Sequence, residues 1–128
     1  MSDVQPMLYI EDLEGGIAFY RDQLGFDVTV FGRHSGTDAP LIAGAKLEDA
    51  FFLLTNEETF RDGEQTGGGS VRLYFHLQTP VATLAVRFGH VDGVDVVQGP
   101  TDQHWGDRTL IIRDPWGVML VFSNGIAR

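Results

Sequence analysis

The chain has 128 residues, 43% of them hydrophobic, with no cysteine and a formal charge of −9 at pH 7. That length suits one compact domain with a real core, and the lack of cysteine excludes a disulfide framework, a thiolate metal site and a cysteine nucleophile. Nine Lys and Arg against eighteen Asp and Glu leave no cationic stripe for nucleic acid, and no apolar run reaches the roughly 20 residues of a membrane span.

The acidity has two readings: plain solubility, or an acidic cleft that attracts a cationic small molecule. The opening Met1-Ser2-Asp3-Val4 has neither the basic nor the apolar stretch of a secretory signal, so a cytoplasmic address is expected.

In chain order, residues 4–10 read as a strand. Asp12 then precedes apolar residues at Leu13, Ile17, Phe19, Tyr20 and Leu24, which is helical spacing behind an aspartate N-cap. Gly25 fits the left-handed residue that closes such a helix. Strands are expected at 26–31, 41–46 and 50–55, the last two joined by a turn at Glu48-Asp49. Residues 56–69 are polar, charged and end in Gly67-Gly68-Gly69, which marks a linker between modules 1–55 and 70–128. The same order then returns. A strand is expected at 71–77, a helix opened by Thr79-Pro80 runs to about Gly89, and strands follow at 94–97, 108–113 and 118–122.

The two halves superpose by count. Aligning Asp12 with Thr79 sets an offset of 67, which pairs Gln5 with Arg72, Met7 with Tyr74 and Tyr9 with His76. The final hairpins align at 68, pairing Leu53 with Val121. Order and offsets agree on a duplicated βαβββ unit, hence an α+β fold with cupped mixed sheets and helices on the outer face. Alternation in 71–77 puts Val71, Leu73, Phe75 and Leu77 against the helices and Arg72, Tyr74 and His76 on the opposite, cupped face. By the repeat, Gln5, Met7 and Tyr9 share that face in the first half. In 118–123, Leu120 and Phe122 should face helix, with Met119, Val121 and Ser123 opposite. Such a face can bind a ligand or pack on a partner subunit.

Two stretches carry a family resemblance. Leu8-Tyr9-Ile10-Glu11-Asp12-Leu13, continuing through Ala18-Phe19-Tyr20 to Leu24-Gly25-Phe26, resembles the opening of the vicinal oxygen chelate superfamily. Trp105-Gly106-Asp107-Arg108 followed by Asp114-Pro115-Trp116-Gly117 is similar to its ending, above all in the glyoxalase-like and bleomycin-resistance-like branches. The resemblance implies the duplicated fold and, in the metalloenzyme members, two metal ligands per module. The corresponding positions here are Gln5, Leu53, Arg72 and Val121. Leucine and valine offer no lone pair, and a guanidinium repels a divalent ion. Only Gln5 could ligate, so no metal and no cofactor are expected.

His34, His76, His90 and His104 form no close pair of metal-binding type, and the chain has no nucleophile elbow, phosphate loop or dinucleotide fingerprint. His90 and His34 read as surface residues, whereas His76 faces the cup and His104 adjoins Trp105. What remains is a binding surface of Tyr9, Phe51, Tyr74 and Trp105 with Gln5, Leu53, Arg72, His76 and Val121 around it. Trp105 could equally be a core residue at a bulged strand start. Arg108 is expected to pair with a carboxylate such as Asp114, and Trp116 to sit on the turn surface or a dimer contact.

The feature set resembles the drug-resistance branch, which implies an acidic homodimer that sequesters a planar aromatic or cationic drug without chemistry. Arg72 at the cup's centre points instead to a small carboxylate. An enzyme of the same superfamily acting on a small carbonyl or aromatic compound is the alternative, and a structural or regulatory dimer is a third.

Overall fold

The computed structural model describes residues 4–61 and 72–126. Most of the expected linker, with its three glycines, lies outside them, as do Met1 to Asp3 and Val71. The chain divides into two compact units, Met1–Gly67 and Gly68–Arg128. Each is α+β and built on the βαβββ plan.

The first unit runs β1 (Met7–Tyr9), α1 (Leu13–Ala18), β2 (Asp27–Arg33), β3 (Pro40–Leu47) and β4 (Ala50–Thr55), with sheet order β1-β4-β3-β2. Only the β1–β4 pairing is parallel. The second runs β5 (Arg72–His76), α2 (Val81–Phe88), β6 (Asp95–Asp102), β7 (Asp107–Arg113) and β8 (Met119–Gly125), in the equivalent order β5-β8-β7-β6. Among the described residues no helix is long and apolar enough to cross a membrane.

The register proves the duplication pair by pair. Met7 lies beside Leu53 and Tyr9 beside Thr55, as Tyr74 lies beside Val121 and His76 beside Ser123. First strands are thus 67 apart and last strands 68, as the count predicts. The helices follow the larger offset. Asp12 caps α1 but Pro80, 68 residues on, occupies the cap of α2, so the expected Asp12–Thr79 alignment is off by one. Thr79 is not needed as a cap, because Asn124 Oδ1 accepts from Val81 N at 2.8 Å while its amide donates to the carbonyls of Leu77 and Thr79. Gly25 and Gly93, also 68 apart, both carry positive φ (81° and 88°); Gly25 is the left-handed residue that closes the first helical segment, whereas α2 ends at Phe88 on a right-handed Gly89, four residues before Gly93.

Several boundaries differ from expectation for physical reasons. β1 starts at Met7 rather than residue 4, since Pro6 has no N–H to pair; its carbonyl accepts from Leu53 N instead. The first helix is not regular throughout. Gly15 and Gly16 weaken its α-helical part, which ends at Ala18, and Phe19–Gln23 continue as a π turn. That wider turn still points Phe19 and Tyr20 inward. β6 is twice as long as expected: Gly99-Pro100, beyond the expected end at 97, are absorbed by register shifts against β7 on either side of Gln98.

Each unit has its own core on the helix side of its sheet. Tyr20, Phe26 and Phe52 form an edge-to-face cluster with centroids 5.4–5.9 Å apart, packed with Leu8, Leu54 and Ile17. In the second unit Phe75 stacks on Phe122 at 5.1 Å, with Phe88 behind it and Leu84, Leu110 and Leu120 around them. Leu120 and Phe122 thus face helix, as alternation predicts.

Candidate functional site

The opposite faces of the two sheets carry the residues singled out in the sequence. In the first unit, Met7, Leu53 and Gly44 stand side by side across β1, β4 and β3. A Cβ on Gly44 would lie within about 2.6 Å of both the Phe31 and Phe51 rings. The missing side chain is therefore what lets these two aromatic groups, 6.3 Å apart, close over the strand. Leu53 and Phe51 are half-buried, and Met7 and Phe31 are exposed, Phe31 at 59%. This face is an apolar wall. Its polar rim is Tyr9, whose hydroxyl donates to Glu58 Oε2 at 3.4 Å. Burial, then the Glu58 charge, push the Tyr9 phenol above its ordinary range. Gln5 is exposed and precedes β1, two residues along from the Met7–Leu53 pair.

The second unit presents different chemistry at the same positions. Tyr74 OH donates to Asp107 Oδ2 at 2.6 Å and accepts from Trp105 Nε1 at 3.1 Å. The His76 ring sits 5.0 Å from Tyr74, and its Nδ1 lies 3.3 Å from Ser123 Oγ, which donates to the Phe75 carbonyl at 2.7 Å. Gln103 bridges Thr109 Oγ1 and Gln98 Oε1. Burial, then the hydrogen bond to the Asp107 carboxylate, raise the Tyr74 phenol above its ordinary value, so it stays protonated near neutral pH. Trp105 is 51% exposed, so the alternative that made it a core residue falls. His104 packs edge-on against it. Val121 is buried and forms the floor; Ser123, expected on the same face, is fully buried beneath His76. Arg72 is exposed at the far end, in line with Met119 and Arg113, and Arg113 pairs with Asp95.

The structure thus gathers Tyr74, His76, Trp105 and Val121 in one unit and Tyr9, Phe51 and Leu53 in the other. Arg108 pairs with Asp102, its neighbour across the β6–β7 ladder, and not with Asp114. Asp114 is buried and instead accepts from the Trp116 and Val118 amides, which shapes the turn before β8. His34 is exposed but not merely solvated, because its Nε2 bonds Asn56 Oδ1 at 3.0 Å. Beside it lies a cavity of about 240 Å³ rimmed by Glu11, Asp12 and Glu14. Sequence reasoning missed Asp107 and Phe31. Asp107 lies one residue before the expected strand 108–113; the signal that could have found it is its spacing, two before Thr109 on one face. Phe31 was not, since a register shift at Val30–Gly32 decides its direction.

Residues 4–122 match the model of the Glyoxalase/Bleomycin resistance protein/Dioxygenase superfamily. The chain belongs to this superfamily. Its relatives include Mb0911c, an uncharacterized protein of Mycobacterium bovis, 31% identical over 123 residues that cover 89% of this chain and 77% of that one. Rv0887c of Mycobacterium tuberculosis is equally similar, with 69% of its length covered. Among solved structures, TioX from Micromonospora sp. ML1 has a TM-score of 0.74 at 19% identity, covering 99% of this chain and 98% of TioX. The bleomycin-binding protein of Streptomyces verticillus, solved with copper(II)-bleomycin, has a TM-score of 0.67 at 17% identity, with 98% and 97% covered. At these identities the likeness shows the fold.

The superfamily's metalloenzymes raise the question of a metal, and the donor set does not fit one. Of Gln5, Leu53, Arg72 and Val121, only the glutamine carries a usable lone pair. Among the described residues, no three His, Asp or Glu side chains converge to hold an ion.

Proposed function

We propose that this chain binds a small molecule on the cupped face of its second module, without a metal or other cofactor. The observation that supports this reading is the hydrogen-bonded set Trp105–Tyr74–Asp107 with His76 beside it: exposed aromatic area from the turn between β6 and β7, and oriented polar groups from β5 and β7. Aromatic rings hold planar or cationic ligands by stacking and cation–π attraction worth roughly 0.5–2 kcal/mol per contact. The ligand classes are a planar aromatic or cationic drug, sequestered as in antibiotic resistance, or a small carboxylate at the Arg72 end. A homodimer in the cytoplasm is part of the same reading; strand β6 leaves Val96 and Val97 exposed for a partner.

A thermal-shift panel of cationic drugs and small carboxylates tests it, beside metal analysis of protein purified without chelator. A binder gains stability as the logarithm of one plus the ratio of ligand concentration to Kd, so a true ligand keeps raising the melting point with concentration. No shift from either class would remove the binding reading, and one tightly held Zn, Ni or Fe per chain would remove the metal-free part. An enzyme acting on a small carbonyl or aromatic compound is the second reading, favoured by His76 beside the Tyr74 phenol, a pair able to exchange protons with a ligand.

A further inference from the structure

The proton directions on the second module's cupped face are fixed by groups that can act in one sense only. The Phe75 carbonyl can only accept, so Ser123 Oγ spends its single proton there at 2.7 Å. Toward His76 Nδ1, Ser123 Oγ therefore accepts, and Nδ1 carries the imidazole proton. The neutral ring then keeps its lone pair on Nε2. The indole Nε1 of Trp105 can only donate, and Tyr74 OH, which receives it, passes its own proton to Asp107 Oδ2. Asp107 Oδ1 is left with its lone pairs. Among the described residues, no donor bonds Asp107 Oδ1 or His76 Nε2.

This face thus offers two acceptors beside an exposed indole and no outward hydrogen-bond donor between them. The cations on the same face, Arg72 and Arg113, align with Met119, four residues along β8 from Ser123, or about 13 Å at the strand rise. We propose that the ligand is a planar N–H donor of amidinium or protonated aminoheterocycle type. Its N–H groups bond Asp107 Oδ1 and His76 Nε2, and its plane lies against Trp105. This rests on the binding reading above and narrows it to one ligand class.

Three probes of one shape separate the possibilities: benzamidine, benzamide and benzoate, titrated calorimetrically at pH 7.5. Benzamidine should bind tightest, benzamide more weakly, and benzoate not at all. Asp107→Asn should weaken benzamidine by about ten- to a hundredfold, the size of a lost charge-assisted bond. His76→Phe, which keeps an aromatic ring but no lone pair, should weaken it several-fold, with circular dichroism confirming that both variants fold. The ¹⁵N shifts of His76 should report a proton on Nδ1. Benzoate binding as tightly as benzamidine overturns the donor class while leaving small-molecule binding intact, as does a folded Asp107→Asn that binds unchanged. Binding of none of the three overturns it too, and the wider thermal-shift panel then decides the broader reading separately.

Discussion

Met7 in β1 and Tyr74 in β5 hold the same place in their modules, each beside the matching residue of a parallel neighbour. Around Met7 the face is closed by Phe31, Phe51 and Leu53. Around Tyr74 it is built of Asp107, Trp105, His76 and Ser123. Backbone pairing has been kept across the duplication while the chemistry of one face has diverged. The reason lies in what each side of the sheet must do. The helix-facing positions are bound by close packing, whereas the opposite face, buried at Val121 and Ser123 but exposed at Met7, Phe31, Tyr74 and Trp105, is less constrained and can differentiate. A single apolar wall and a single polar cluster leave the oriented hydrogen-bonding groups to the second module.

Breaking what the modules share should have the largest effect. Phe52→Ala and Phe122→Ala each remove a buried ring from one core and should each cost about 3–5 kcal/mol. Denaturant melts measure this, and a loss below about 1 kcal/mol in either would refute equal packing of the two cores.

Next come Asn56 and Asn124, which stand 68 apart at the same position but do different work. Asn124→Ala strips α2 of its acceptor and frees two carbonyls, for about 1–2 kcal/mol. Asn56→Ala loses only a bond to exposed His34, for about 0.5 kcal/mol. Equal costs would show that the helix cap is not what separates them.

Gly44→Ala should push the Phe31 and Phe51 rings apart. Phe31 is exposed enough to swing out, so the cost is about 1 kcal/mol, at the low end for overpacking. Ligand binding at the second module should not change.

The smallest effect is electrostatic. Hydrogen bonding to Arg108 holds the Asp102 carboxyl below its ordinary value, and Arg21 does the same for Asp22. A depressed folded value contributes stability above the unfolded carboxyl's value, near 3.9 for aspartate, which is lost as pH falls through the folded one. Arg21 and Asp22 are sequence neighbours and stay close in the unfolded chain, whereas Arg108 and Asp102 meet only across the ladder. Asp102→Asn should therefore flatten the acid limb of the stability curve more than Asp22→Asn does.

Much of this was legible in the chain itself. Local pattern and the two offsets set the order of the strands, though not the length of β6, and alternation in 71–77 set the face of Tyr74 and His76, because a period of two leaves no freedom once one face is buried. The cap of α2 was not legible, since it comes from Asn124, some 43 residues away from Val81. The partner of Arg108 was missed for a related reason: β6 runs through Gly99-Pro100, which local propensity reads as a stop. Phe31 needed a bulge that no pattern announces.

The central claim is that the second module's cupped face, free of metal, is the binding face. Its most direct test is a ¹H–¹⁵N correlation spectrum of chelator-dialysed protein, titrated with the panel compound that gives the largest thermal shift. The Trp105 indole N–H, identified by its absence in Trp105→Phe, and the amides of β5, β7 and β8 should move together and saturate, with β3 and β4 unmoved. Perturbation centred on β3 and β4 around Gly44, or binding that vanishes after chelation, would contradict it.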